Sequence, residues 1–264
     1  MSSNTPILEV KNIINSFGTH KVHDGLNLQV MKGDILGIVG GSGSGKSVLL
    51  KTMTGIRAPT SGKAYINGQP VMQLPVAERA ATLGVLFQQG ALFSGLTVLE
   101  NTMAPLKEFT NLKEDECREV AWLKLRLVGL PDNAAAKRPS ELSGGMIKRA
   151  GLARAMAMDP TVLFLDEPTA GLDPISASEF DELVRELNRS LNLTFVMITH
   201  DLDTLFGTCN RVAVLVDKKM TVGTIPELMQ NQHPWIHEYF HGERSRAVHA
   251  SSHKPIKKEL SHGA

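Results

Sequence analysis

The segment GGSGSGKS, residues 40–47, places glycines before a lysine and a serine at the spacing of a phosphate-binding loop. It follows an apolar run that predicts a strand and it opens a helical pattern, which is the context that the motif requires. The glycines let main-chain N–H groups point inward, Lys46 can reach the β- and γ-phosphates of a nucleotide, and the Ser47 hydroxyl can ligate Mg²⁺. The predicted nucleotide contacts here are Gly40, Gly41, Ser42, Gly43, Ser44, Gly45, Lys46, Ser47 and Val48.

Two carboxylates end the apolar segment TVLFLDEP, residues 161–168. Asp166, at the end of the predicted strand, is suited to hold Mg²⁺ through water. Glu167 lies one residue further along and points elsewhere, and a carboxylate there can polarise the water that attacks a γ-phosphate. The alternative is an acidic strand end that only faces solvent. We expect the metal site, because two carboxylates that end an apolar strand suit it.

A second group of glycines stands in ELSGGMIKRAGLARAMAMDP, residues 141–160. Ser143, Gly144 and Gly145 precede a helical pattern, which is the composition of an anion site at a helix N-terminus. The chain therefore carries two candidate phosphate sites in different parts of the sequence, and a single nucleotide does not account for both.

Apolar patterns predict the elements that position these residues. Residues 34–40, 161–168 and 193–200 are continuous apolar segments, typical of buried strands. Between the last two, residues 176–192 form an amphipathic helical pattern. A strand–helix–strand order predicts a parallel sheet with right-handed crossovers, and hence an α/β fold. Residues 211–223 predict a hairpin with a two-residue turn.

The remaining chain divides by composition. Residues 90–158 are rich in helical patterns and show no clear strand, so we interpret them as a helical subdomain that carries the LSGGM motif. They are inserted into a core formed by residues 1–89 and 159–240. Residues 241–264 are polar and basic with few apolar anchors, which predicts a tail that is mobile in isolation and docks on a partner. A dispensable solvated tail is the alternative.

Composition limits the classes of function. The chain has 264 residues and a formal net charge of +1, so charge gives no reason to expect nucleic acid as a partner. No stretch approaches the roughly 18 apolar residues of a membrane span, and the first residues lack the pattern of a secretory signal. Cys117 and Cys209 stand far apart, which predicts reduced, buried thiols in a cytoplasmic protein. A partner must hold this chain at any membrane where it works.

Together these segments resemble the motifs of an ABC-type ATPase. Residues 40–47, 142–145 and 166–167, with His200, occur in the order and rough spacing of that family, and the similarity extends over about residues 7–240. The resemblance implies the ABC ATPase fold, which is a RecA-like P-loop NTPase core with an inserted α-helical subdomain. It also implies hydrolysis of ATP with Mg²⁺ as the cofactor.

The resemblance assigns roles to single residues. Phe17 looks like the aromatic residue that stacks on adenine. Gln88 looks like the glutamine that senses Mg²⁺ and the transmembrane partner, and the neighbouring Gln89 leaves an ambiguity of one residue. His200 looks like the histidine that contacts the γ-phosphate. The alternatives are a core aromatic for Phe17, a surface polar residue for Gln88 and an ordinary hydrogen-bonding role for His200. The implied catalytic residues are Lys46, Glu167 and His200, and the implied metal ligands are Ser47, Gln88 and Asp166.

The resemblance also accounts for the second phosphate site. In this family two subunits face head to tail, so that Ser143, Gly144 and Gly145 of one cover the γ-phosphate held by Lys46 of the other. The helix predicted to start near Met146 offers its N-terminus and its dipole to that phosphate. ATP then closes a homodimer and hydrolysis opens it. Other members usually have glutamine where this chain has Met146, which puts one side-chain contact in doubt and leaves the main-chain donors in place.

Among functions, the nucleotide-binding subunit of a membrane transporter fits best. Soluble members that act on DNA separate the two phosphate sites by a long coiled coil, and no heptads lie between Lys46 and Ser143. Members that act on ribosomes usually carry two cassettes, and this chain has one. A P-loop kinase or small GTPase has no use for the LSGG sequence.

Three stretches resemble the Mla/Mce-type phospholipid-transport ATPases within this family: residues 87–102, 141–155 and 166–175. The resemblance implies phospholipid transport between membranes through an integral permease, with a lipid-binding Mce-type protein and a small accessory cytoplasmic subunit. The chain would then lie on the cytoplasmic face of the inner membrane. The alternative is the ATPase of an amino-acid or ion importer.

The residues after Gln88 have a predicted physical role as well. Ala91, Leu92, Phe93 and Leu96 lie where the nucleotide site joins the helical subdomain, and we expect them to form the apolar floor of a groove. A cytoplasmic helix of a permease could dock there. The alternative is that these residues only pack the subdomain.

Overall fold

The computed structural model describes residues 5–242 of the chain. The strands are β1 (Leu8–Phe17), β2 (His20–Val30), β3 (Ile35–Val39), β4 (Ser61–Ile66), β5 (Gln69–Pro70), β6 (Leu83–Leu86), β7 (Val162–Asp166), β8 (Thr194–Ile198), β9 (Arg211–Val216) and β10 (Lys219–Gly223). The helices are α1 (Lys46–Met53), α2 (Val76–Thr82), α3 (Val98–Phe109), α4 (Glu114–Leu127), α5 (Gly144–Ala155), α6 (Pro174–Leu191), α7 (Leu202–Thr208), α8 (Ile225–Met229) and α9 (Pro234–His241).

The larger sheet has six strands in the order β10-β9-β3-β8-β7-β6. All neighbours pair in parallel except β10, which is antiparallel to β9. Every residue of β3 and β8 is buried, because helices cover both faces of a parallel sheet and each strand must be apolar throughout. The predicted strands and the parallel α/β sheet are confirmed.

The predicted hairpin is formed by β9 and β10, which turn at Asp217 and Lys218. Both turn residues are left-handed, with φ of 48° and 61°. That pair of angles is the signature of a type I′ turn, whose twist matches the right-handed twist of the two strands.

The smaller sheet was not predicted from the sequence. It is antiparallel, with the order β2-β1-β4-β5. Its apolar residues pack with α1 and one face of the larger sheet in a single cluster of buried side chains. The phosphate-loop helix therefore lies between two sheets.

The opposite face of the larger sheet is covered by helices. One apolar cluster joins α3, α4, α5 and α6 to the sheet, and α6 contributes its predicted apolar face of Phe180, Leu183, Val184 and Leu187. Asp173 caps α6 by accepting from the N–H groups of Ile175 and Ser176. Residues 90–158 contain helices and no strand. The boundaries of this stretch as a subdomain stay a prediction.

Other expectations concern single features. Cys117 and Cys209 are free and buried, as predicted. Among the described residues, no helix combines the length and apolar character needed to cross a membrane. The predicted tail, residues 241–264, lies outside the described residues except for its first two positions.

Candidate nucleotide-binding and catalytic site

The glycine-rich loop connects β3 to α1 at the carboxyl end of the larger sheet. Lys46 is the first residue of α1, and its Nζ donates to the main-chain oxygens of Gly40 and Gly41, at 2.8 and 3.2 Å. Gly43 and Gly45 have φ of 75° and 100°, which favour glycine. The lysine thus closes the loop on itself and keeps its ammonium group at the loop's centre.

Three observations show that this loop fits phosphate groups. The N-terminus of α1 has no side-chain cap, so its first N–H groups stay available to an anion. A Cβ on Gly45 would come within 2.5 Å of His23 Nε2, so the loop has room only for its bare backbone. The Ser44 hydroxyl is buried, and no described residue pairs with it.

Two carboxylates surround the lysine. Burial lowers the pKa of Lys46, while the nearby charges of Glu167 and Asp166 act in the opposite direction. Burial raises the pKa of Asp166, and the adjacent Glu167 raises it further. The charges at the phosphate loop and at the end of β7 therefore act on one another.

The oxygen ligands beside Lys46 suit Mg²⁺ better than they suit a metal ion that is bound by protein side chains alone. No described group of three or more His, Cys, Asp or Glu side chains could hold an ion. Mg²⁺ usually takes one or two protein carboxylates together with substrate phosphates and water. Asp166 and the hydroxyl of Ser47 are ligands of that kind.

Glu167 and His200 contact each other directly. The distance from His200 Nδ1 to Glu167 Oε2 is 2.6 Å, and the carboxylate can only accept in this hydrogen bond. Glu167 has φ of 50°, and its N–H donates to the main-chain oxygen of Ile198 at 2.9 Å. The carboxylate is largely buried, whereas the histidine side chain is 74% exposed. The pair joins the ends of β7 and β8.

Phe17 ends β1 and is 45% exposed, so the alternative of a core aromatic is wrong. The guanidinium of Arg57 lies 4.1 Å from the centre of its ring, which is a cation–π arrangement. One face of the ring is therefore covered by the chain itself. Stacking of adenine on Phe17 stays a prediction.

Gln88 and Gln89 follow β6, and both side chains are exposed. The main-chain oxygen of Gln88 accepts from Lys148 Nζ at 2.5 Å. The structure places the backbone of this segment and leaves the ambiguity of one residue open.

The second phosphate site differs from the prediction in one respect: its helix begins at Gly144, two residues before Met146. Ser143 is the N-cap, and its hydroxyl accepts from the Met146 N–H at 3.3 Å. Serine at an N-cap ends the extended segment and starts the helix at the next residue, which explains the earlier start. The N–H groups of Gly144 and Gly145 stay available to an anion.

The predicted groove is present, but two of the four residues predicted to line it do not. It has a volume of about 680 Å³ and is lined by Ala91 and Phe93, but not by Leu92 or Leu96. Leu92 packs against the core instead. The buried side chain of Asn101 fixes this turn through hydrogen bonds to the main chain of residues 93, 96 and 97. Further lining residues are Ile56, Ala80, Val85, Phe87, Ala104, Pro105, Glu108, Phe109, Arg154 and Met158.

The sequence interpretation missed three residues near the site. Lys148 and Arg154 extend from α5 to the segment after β6. Trp235 of α9 has its Nε1 3.9 Å from the point where a Cβ on Gly41 would stand, so α9 packs beside the phosphate loop. The available signal for the first two was a cation among the apolar positions of a predicted helix.

Comparison with known proteins places the chain among transport ATPases. A family model described as "ABC transporter" matches residues 23–170. The intermembrane phospholipid transport system ATP-binding protein MlaF of Haemophilus influenzae is 40% identical over 249 residues, covering 93% of this chain and 94% of that protein.

Two further matches are informative. The methionine import ATP-binding protein MetN of Mannheimia succiniciproducens is 38% identical over 79% of this chain and 61% of that protein. A solved dimeric structure of the ATP-binding cassette MJ0796, in a post-hydrolysis state with ADP and phosphate, has a TM-score of 0.74 and 29% identity. It covers 82% of this chain and 98% of that one. The predicted RecA-like core of an ABC ATPase fold is confirmed.

Proposed function

Because this chain belongs to the ABC transporter family, we propose that it is an ATPase subunit that dimerises on ATP and drives phospholipid transport between membranes through a separate permease. Hydrolysis of ATP follows from the family. The cargo, the dimer and the roles of individual residues are the proposal. The observation that supports phospholipid as the cargo is the 40% identity with a phospholipid-transport ATPase over nearly the full length of both chains.

The glycine-rich loop and the start of α1 bind the phosphate groups of ATP in this proposal. Lys46 already donates to two loop carbonyl groups, so its remaining proton and its charge are available to the β- and γ-phosphates. Ser47, Asp166 and Gln88 would hold Mg²⁺. When bound, the ion neutralises charge on the phosphate oxygens. Phe17 offers its uncovered face to adenine.

Proton transfer falls to Glu167. Its Oε2 accepts from His200 Nδ1 at 2.6 Å, which leaves Oε1 free to take a proton from the attacking water. His200 fixes the direction of the carboxylate in this arrangement. We therefore assign Glu167 as the general base and His200 as the residue that orients it, with contact to the γ-phosphate as a further role.

The anion site on α5 completes the nucleotide site of a second copy. Ser143 and Gly144 are exposed and stand at the N-terminus of a helix of twelve residues. Free N–H groups and the helix dipole at such an end attract a phosphate. A head-to-tail dimer brings this end to the γ-phosphate held by Lys46 of the partner. The dimeric state of the MJ0796 cassette supports this arrangement.

The apolar groove is the site for the permease. It lies directly beside the segment that carries Gln88, and Phe93 and Ile56, which line it, are each 57% exposed to solvent. An exposed apolar surface of this kind suits an amphipathic helix. Through the permease the chain would lie on the cytoplasmic face of the inner membrane. A lipid-binding Mce-type protein and a small accessory cytoplasmic subunit would complete the assembly.

Reconstitution tests the cargo. The chain and its permease, purified together into liposomes, should transfer a fluorescent phospholipid to acceptor vesicles when ATP is added. The Glu167→Gln variant should abolish that transfer. Lipid should also co-purify with the complex from membranes.

Import of an amino acid is the second candidate, and the similarity to a methionine import ATPase favours it. Uptake of labelled methionine in the same liposomes distinguishes the two. Methionine uptake without lipid transfer would overturn the phospholipid assignment and leave the ATPase intact.

A further inference from the structure

Lys148 is a cation in the interior of the chain, and its partners are main-chain carbonyl groups. The residue is 4% exposed. Its Nζ donates to the oxygen of Gln88 at 2.5 Å and to the oxygen of Glu167 at 3.0 Å. Burying an ammonium group is costly unless strong hydrogen bonds compensate it. An apolar residue would pack at this position of α5 without that cost, so the two hydrogen bonds need an explanation.

The carbonyl group of Glu167 belongs to a strained turn. Glu167 has φ of 50°, a left-handed conformation that is unfavourable for a non-glycine residue unless its surroundings hold it. Three backbone hydrogen bonds hold this one, of which one joins its carbonyl oxygen to the N–H of Ala170 in the same turn, at 3.2 Å. Its N–H donates to Ile198, and its carbonyl oxygen accepts from Lys148. The turn sets the direction in which the carboxylate leaves the backbone.

The carbonyl group of Gln88 belongs to the segment after β6. Arg154, on the same helix as Lys148, donates to the oxygens of Gly90 and Ala91 at 3.0 and 2.7 Å. The helix also approaches this segment closely, because a Cβ on Gly151 would lie 3.2 Å from the oxygen of Gly90. Two cations of α5 thus hold three carbonyl groups of one short segment.

We propose that Lys148 is a positioning residue that fixes the Glu167 turn and the Gln88 segment at a set distance from α5. The chemical step of ATP hydrolysis then depends on Lys148 far more than the affinity for ATP does. Its hydrogen bonds run to the backbones of the general base and of the segment beside the groove, and neither runs to the phosphate loop. The proposal rests on the assignment of Glu167 as the base and is independent of the cargo.

The test replaces Lys148 by methionine, which keeps the length of the side chain and removes the donors. Displacement of a reacting group by about 1 Å can cost 10²-fold in rate, so kcat should fall roughly 10²-fold while KM for ATP stays within about threefold. Lys148→Arg restores donors for both carbonyl groups and should recover part of the rate.

Lys124 provides the matched control. This lysine of α4 is equally buried, at 4% exposure. It donates to the side chain of Asp159 at 2.5 Å and to neither the Glu167 turn nor the Gln88 segment. Lys124→Met should therefore leave kcat unchanged. Equal losses in the two variants, or a loss in Lys148→Met confined to KM, would overturn the proposal. If Lys148→Met does not fold, Lys148→Gln and Lys148→Arg carry the same comparison.

A double-mutant cycle separates this proposal from the assignment of the base. If Lys148 acts through Glu167, Lys148→Met should cost little further rate in a Glu167→Gln background. Additive losses would overturn the positioning role. Normal turnover in Glu167→Gln alone would instead overturn the assignment of the base.

Discussion

Glu167 shows how one residue can be held for chemistry by its backbone. Its left-handed φ of 50° is fixed by hydrogen bonds on both sides of the residue, and its side chain meets His200 at 2.6 Å. A carboxylate with one oxygen engaged by a histidine and one oxygen free is arranged to accept a proton from water.

Glu167→Gln should separate binding from hydrolysis. The amide keeps the shape of the side chain but cannot take a proton, so kcat should fall by about 10²–10⁴-fold with ATP affinity retained. Single-turnover hydrolysis and equilibrium nucleotide binding measure the two quantities. Glu186→Gln, which changes an exposed carboxylate on α6, should leave both unchanged. Near-normal turnover in Glu167→Gln would show that another group is the base.

At the scale of residues, what the sequence reveals depends on how local the interaction is. Asp166 and Glu167 follow an apolar strand directly, so a short pattern predicts that they end at the same edge of the sheet as Lys46. Lys148 meets partners that are 60 and 19 positions away in the chain. No local pattern carries that information. A cation among the apolar positions of a helix can be noticed in the sequence, but the carbonyl groups that it meets cannot be identified there.

At the scale of elements, a buried carboxylate joins α6 to α7. Asp181 of α6 accepts from the Thr204 hydroxyl at 2.8 Å, and Thr204 lies 3.4 Å from the Thr169 hydroxyl. The pKa of Asp181 is raised to about 6, chiefly by burial and also by the charges of Asp201 and Asp203, against the opposing effects of the Thr204 hydrogen bond and of Arg185. The contact connects the helix after His200 to the turn after Glu167.

This carboxylate predicts a pH-dependent stability. The pKa of Asp181 is raised on folding, so its contribution is fully present below the unfolded value near 4 and is lost as the pH rises through about 6. Asp181→Asn stays neutral, so between pH 4 and pH 6 it should gain on the wild type by roughly 2–3 kcal/mol in free energy of unfolding. Urea denaturation of both proteins across that range measures the gain. A difference that does not change with pH would contradict the prediction.

The groove makes a prediction at the same scale. Ala104 of α3 lines it and is partly buried, so Ala104→Arg should place a long side chain in the groove and block a docking helix. Assembly with the permease should be lost, while basal ATPase of the chain stays within about twofold, since Ala104 is none of the proposed nucleotide, metal or catalytic residues. Leu123→Arg, at an exposed apolar position of α4 outside the groove, is the control. Pull-down with the permease reads out both, and assembly of both variants would remove the groove as the docking site.

Whether an element could be predicted from sequence depended on its regularity. Strands β3, β7 and β8 are short, and their apolar pattern is interrupted only at the ends, by Asp166 of β7 and Thr194 of β8. Strands β1 and β2 are longer, but their register shifts three times, after Val10, Ile13 and Asn15. Each irregularity breaks the alternation of inward and outward residues, which is the only signal of a half-buried strand.

At the scale of the whole molecule, the two proposed phosphate sites belong to different parts of one fold. The helix α1 that follows the loop is packed between two sheets, whereas the N-terminus of α5 is exposed and belongs to the helical layer. The α/β sheet could be predicted from local patterns and the family resemblance. The packing of α5 on the Gln88 segment could not, because it depends on two stretches that are distant in the sequence.

Mixed dimers test whether the two sites meet across subunits. Lys46→Ala should lose nucleotide affinity, and Ser143→Arg should keep it but prevent closure, since the arginine side chain would crowd the anion site. Each variant alone should be inactive. In a head-to-tail dimer of the two, one composite site carries both lesions and the other carries none, so mixing them should restore ATPase activity that neither has. The control mixes Lys46→Ala with Glu167→Gln. Those two lesions lie on the same side of each site, so every site in the mixed dimer keeps one lesion and no activity should return. Recovery in the control, or none in the test pair, would show that Ser143 serves the nucleotide of its own chain.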